Sequence, residues 1–119
     1  MSIYENKVKS LGASIDEFKD SGFIILFGDN APDELKDYCY VVDVVPVNGA
    51  ITTGQTISFN DAEYKITAVG DEAQKTLEGL GHCTINFSGQ TEVELPGTIY
   101  VENKPQPDIQ VGTTIKITQ

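Results

Sequence analysis

The chain of 119 residues has one histidine, two cysteines, one methionine and no tryptophan. Each scarcity excludes a class of chemistry. A single histidine rules out the ligand sets of most zinc hydrolases and leaves one imidazole, His82, able to change charge near neutral pH. Cys39 and Cys83 stand 44 positions apart in strand-like runs, with no close Cys or His neighbour. They read as reduced core thiols, not as a disulfide or a metal pair. No apolar run approaches the ~20 residues of a membrane span, and residues 1–10 lack the apolar centre of a signal peptide. A cytoplasmic protein with no direct membrane insertion is expected. Bases are also few, eight against eighteen acids, for a net charge of −10. That charge repels phosphate backbones, so nucleic acid is not an expected partner, and it suits docking to a basic protein face. Walker A, Gly-x-Gly-x-x-Gly and Gly-x-Ser-x-Gly words are missing too, so no cofactor and no metal is expected.

What is present reads as one all-β domain over residues 1–119. A chain of this length buries roughly two-thirds of its unfolded surface and needs no covalent staple. From His82 the residues alternate, with Cys83, Ile85 and Phe87 on one face and His82, Thr84 and Asn86 on the other. That period of two marks a strand with one buried face. Ser88-Gly89-Gln90 then predicts a turn, with residues 92–95 returning as the second strand of a hairpin. Pro96 breaks the ladder and residues 98–101 start another strand. Residues 3–11 predict an edge strand, and residues 23–27 a strand buried on both faces. Residues 38–45 predict a strand with Tyr38, Tyr40, Val42 and Val44 on one face and Cys39, Val41, Asp43 and Val45 on the other. Residues 63–69 alternate without a clear register.

Two or three short helices are predicted. Ser14 and Glu17 have the spacing of a capping box, with Ile15 and Phe18 inward and Gly22 closing the turn. Residues 30–35 carry Pro32 and two acids where a first helical turn wants them. Residues 71–80 form the longest helix, with Asp71 as cap, Ala73, Leu77 and Leu80 as an i, i+4, i+7 stripe, and Gly79 and Gly81 as the stop. The stretch Ile51-x-x-Gly54-x-Thr56-Ile57-x-Phe59 is echoed 58 positions later by Ile109-x-x-Gly112-x-Thr114-Ile115-x-Ile117. Two such glycine-turn–strand units point to a closed or nearly closed β-barrel with an internal pseudo-twofold. Its expected core includes Phe23, Ile25, Val41, Ile57, Ile66, Leu77, Ile85, Phe87, Ile99 and Ile115.

Several words in order carry a family resemblance: Thr67-Ala68-Val69-Gly70, then Leu77-x-x-Leu80-Gly81-His82-x-Thr84-x-x-Phe87-x-Gly89, then Glu94-x-Pro96-Gly97-Thr98. Upstream, Leu11-Gly12-Ala13-Ser14 and Ala31-Pro32-x-x-Leu35-x-x-Tyr38-Cys39 fit as well. Over nearly its full length the chain resembles the glucitol/sorbitol-specific IIA component of the bacterial phosphoenolpyruvate-dependent sugar phosphotransferase system. The resemblance implies a small cytosolic β-barrel. It also implies a phosphoryl carrier between the histidine-containing phosphocarrier protein and the IIB/IIC components of a sugar transporter. The family holds the phosphoryl group in a His-x-His stretch just after Tyr-Cys. Here that stretch is Val42-Asp43-Val44, and valine offers no lone pair to phosphorus. Three readings follow. His82, which matches the family's Leu-Gly-His, is the carrier; or the chain is a regulatory or binding relative that docks transport-system proteins through Val42, Asp43 and Val44; or it is a structural barrel with no link to sugar uptake. The oligomeric state, a homodimer included, is left open.

Overall fold

The structure is a computed structural model that describes residues 2–15, 22–29 and 32–119, with backbone alone at 33 and 34. The predicted capping box at Ser14 and Glu17, the inward Phe18 and the helix start at Asn30 fall wholly or partly outside those residues. Among the described residues ten elements follow in order. They are β1 (Ser2–Leu11), β2 (Phe23–Gly28), α1 (Asp33–Lys36), β3 (Tyr40–Val42), β4 (Thr56–Phe59), β5 (Ala62–Val69), α2 (Ala73–Leu80), β6 (Cys83–Asn86), β7 (Thr98–Val101) and β8 (Thr114–Thr118). The strands close into a barrel in the order β1-β3-β2-β6-β7-β5-β4-β8.

That order is a duplication. The first four strands and the last four take equivalent places, β1 with β5, β2 with β6, β3 with β7 and β4 with β8. β2 runs parallel to β3 and β6 parallel to β7, while β2–β6 and β4–β8 meet antiparallel across the pseudo-twofold. The register obeys the symmetry: Ile57 faces Ile117 and Phe59 faces Ile115. Register shifts recur at matching sites, between Val8 and Ser10 in β1 and between Ile66 and Ala68 in β5. The Gly54 and Gly112 turns are the same device twice. Their φ values are +90° and +93°, and an added Cβ would meet nothing within 4 Å, so the left-handed backbone is what needs glycine there. Gly54 N donates to Ile66 O and Ile66 N to Gln55 O, just as Gly112 N donates to Val8 O and Val8 N to Thr113 O.

Inward residues of the strands, together with Leu77 of α2, fill the core. Ile57, Ile66, Leu77, Ile85, Ile99, Ile115 and Ile117 are all within 2% of complete burial. Each such side chain is worth about 1.5–3 kcal/mol of transfer free energy relative to exposure. β5, whose register the sequence left open, turns Tyr64 and Ile66 inward, and past its register shift Val69, paired with Ile99, packs against the core. α2 lays Ala73 and Leu77 on the barrel and ends at Gly81, whose φ of +68° continues no helix.

Several expectations need correction. β1 pairs on both sides, with β3 and β8, and is no edge, because the barrel leaves none there. β6 and β7 are parallel neighbours, so the predicted hairpin does not form. Residues 92–95 belong to the crossover, and their apolar members Val93 and Leu95 are exposed. The Tyr100 hydroxyl, not a strand, accepts the Glu94 and Leu95 amides. Leu80 is likewise exposed, Gly79 lies inside α2, and Asp71 makes no cap, the N-cap being Glu72 without a side-chain bond. β3 stops at Val42, so Val44 leaves the strand and is exposed. Phe23 and Ile25 are only half-buried, with Ile25 packed on an outer pair, Phe27 and Cys39.

Candidate functional site

The two candidate regions come together at one end of the barrel. Gly28, the last residue of β2, pairs with Val42, the last of β3. On the other side of β2, Leu26 pairs with Cys83, which carries Phe27 opposite His82. Gly81 backs onto Gly28 so closely that a Cβ at 81 would lie 2.8 Å from the Gly28 nitrogen. His82, Phe27 and Val41 thus stand in a row across the barrel wall, the outer two about 10 Å apart at two strand spacings, and Val42 lies one residue further along β3.

They do not face the same way. Val42 is 0% exposed and belongs to the barrel core with Tyr40 and Val8. Its side chain has no surface to offer a partner. His82 lies on the outside, half-buried, its ring 4.4 Å from that of Phe27 and tilted by 38°. The Nδ1 atom of His82 is buried and meets no hydrogen-bond partner among the described residues. That matters for phosphoryl chemistry. A neutral imidazole attacks through one nitrogen while the other keeps the proton. If Nε2 attacks, Nδ1–H becomes a buried donor without an acceptor, at a cost of about 1–3 kcal/mol. If Nδ1 attacks, the nucleophile is enclosed.

Asp43 and Val44 are exposed. Asp43 meets Lys9 at 3.0 Å, and the same ammonium meets Asp29 at 3.1 Å. The two carboxylates, Asp43 first, raise the Lys9 pKa above its ordinary value. All three side chains are well solvated, so the pairs contribute little to stability. Asp43 and Asp29 lie 14 positions apart in sequence, and only the parallel β2–β3 pairing makes them neighbours. Lys9 and Asp29 are invisible to motif reading for that reason.

Both cysteines are buried free thiols, at 2% exposure for Cys39 and 0% for Cys83. Burial pushes Cys39 up to about 11 and Cys83 up to about 12. Only the thiolate reacts, and a rise of two units lowers its fraction about 100-fold. A thiol reagent should therefore label the native protein at least ~100-fold more slowly than the chain in denaturant. Rapid stoichiometric labelling of the native protein would contradict this burial.

No helix among the described residues is long and apolar enough to cross a membrane. The sequence profile of the family described as PTS system glucitol/sorbitol-specific IIA component matches residues 3–116. The glucitol/sorbitol-specific EIIA components of Shigella flexneri and Escherichia coli are each 34% identical over 114 residues, 96% of this chain and 93% of theirs. A crystal structure of a PTS system IIA component from Enterococcus faecalis superposes with a TM-score of 0.84. It is 26% identical, and the match covers 98% of this chain and 100% of that one. The chain belongs to the glucitol/sorbitol-specific IIA family of the sugar phosphotransferase system.

Proposed function

We propose that this single-domain protein serves as the IIA component of a cytoplasmic sugar-alcohol phosphotransferase relay, docking its protein partners while holding no phosphoryl group on an imidazole of its own. The partners are the histidine phosphocarrier protein and the IIB and IIC components of a glucitol-type transporter. One observation carries the reading. Position 42, where the family resemblance puts the acceptor, is a valine with no exposed surface. The barrel around it is intact, and its outer end still presents Asp43, Val44 and Lys9. A negatively charged protein of this kind meets a basic partner face through steering that salt screens.

The second reading, His82 as carrier, has in its favour that His82 reaches the same barrel end as position 42. The enclosed Nδ1 speaks against it.

Calorimetric titration with the unphosphorylated histidine phosphocarrier tests the docking half of the proposal. Saturable binding that weakens as salt rises from 50 to 300 mM, on the order of the change in screening length, is expected. No heat and no chemical-shift change on mixing at millimolar concentration would overturn it.

A further inference from the structure

We infer that Asn6 is the positioning residue of the 43–47 segment, the clamp that sets how Asp43 and Val44 are presented to a docking partner. Asn6 is 6% exposed on an inward position of β1, one of few buried polar residues in the barrel. A bare amide in an apolar interior is costly, and Asn6 is engaged at both ends of its own. Its Nδ2 donates to the Asp43 carbonyl at 2.6 Å and to the Tyr4 hydroxyl at 2.9 Å. Its Oδ1 accepts the Lys7 amide at 2.9 Å.

The Asp43 bond sits where the β1–β3 ladder gives out. Val42 still pairs with Val8, and β3 ends there. One residue on, a side chain replaces the ladder. Among the described residues the next backbone bond from the segment to β1 is at Asn48, whose amide donates to Ile3 O at 2.7 Å. Between the ties Pro46 has no amide to give, and Val45 and Pro46 span an open hollow of about 200 Å³ over Ile3, Tyr4 and Glu5. Val45 and Val47 pack on the barrel core further along, and the Asp43 side chain meets Lys9 in a solvated ion pair, so at Asp43 the backbone takes its direction from the Asn6–Asp43 bond. The Tyr4 hydroxyl, pushed up to about 12 chiefly by burial, stays protonated and steadies Asn6 from below.

The partner side of this inference rests on the proposed docking function, and the test separates the two. Asn6→Thr suits a strand, fills much of the same space, and is too short to reach Asp43. Asn6→Leu is the apolar alternative. Tyr4→Phe removes the lower support and leaves the Asp43 bond in place. Amide hydrogen exchange should rise about tenfold at 44, 45 and 47 in the Asn6 variants while β6 and β8 amides stay as in the natural protein. Binding of the histidine phosphocarrier should weaken about tenfold in the same variants, with Tyr4→Phe near the natural protein in both readouts. A residue important only for stability would speed exchange across the whole barrel, and that result overturns the inference. So does unchanged exchange at 44–47 in a folded variant, or failure of both Asn6 variants to fold. If the natural protein does not bind the phosphocarrier, the docking function fails while the exchange experiment still decides the role of Asn6.

Discussion

Gly70→Ala should destabilise this protein by about 3 kcal/mol or more, enough to unfold a marginal domain at modest denaturant. A Cβ on Gly70 would run into the carbonyl groups of Pro96 and Leu95. Both are backbone, and neither can swing aside as a side-chain tip could. The contact is also tied from both sides, Gly70 N donating to Thr98 O at 2.8 Å and Glu72 N to Pro96 O at 2.9 Å. Separation would break the link that sets α2 against β7. The pseudo-twofold repeats the same close approach at Gly12, whose Cβ would meet the carbonyls of Asp37 and Lys36. Gly12 N donates to Cys39 O and Ser14 N to Asp37 O. Gly12→Ala should therefore be about as damaging. Gly79→Ala is the internal control. Gly79 lies within α2 with open space at its Cβ, so alanine should be neutral or stabilise by up to ~1 kcal/mol. Denaturant midpoints of the three variants check the set, and a Gly70→Ala midpoint matching the natural protein would refute the packing argument.

These glycines show what a sequence does and does not reveal. Alternation in residues 83–87 and 114–118 announces strands, because a period of two survives wherever one face is buried. The Gly54 and Gly112 echo is legible because both turns need the same left-handed backbone. The full duplication is hidden. Outside that echo few equivalent residues share a letter: Gly12 and Gly70 do, as do Val42 and Val101, but Leu26 answers to Ile85 and Val8 to Ile66. Strand neighbours are hidden as well. Nothing local in residues 88–97 distinguishes a returning strand from a crossover, and the parallel β6–β7 pairing decides the matter from elsewhere in the barrel.

The site divides along the same line. His82 is legible as the one imidazole at a strand mouth, and the helix stop at Gly81 places it correctly. Alternation also puts Asp43 opposite Val42, and the structure agrees, with Val42 enclosed and Asp43 in solvent. What alternation cannot say is where a strand ends. β3 ends at Val42, so Val44 leaves the face it was expected to share. Asn6 gave a weak signal, a polar residue between inward Tyr4 and Val8, but its partner lies 37 positions away.

The most direct measurement is phosphoryl transfer in a reconstituted relay. The protein is mixed with phosphoenolpyruvate, enzyme I and the histidine phosphocarrier, and acid-labile phosphate on it is counted. Phosphoryl capture needs an exposed ring nitrogen with its partner nitrogen satisfied. Val42 has no ring, and His82 has an enclosed Nδ1 that meets no hydrogen-bond partner among the described residues. Losing the nucleophile of a group-transfer step typically lowers the rate by several orders of magnitude, on the order of 10⁴ or more. Labelling of the natural protein should stay at the level of a control without enzyme I, and His82→Ala should leave it there. Stoichiometric acid-labile labelling that disappears in His82→Ala would contradict the proposal and make His82 the carrier.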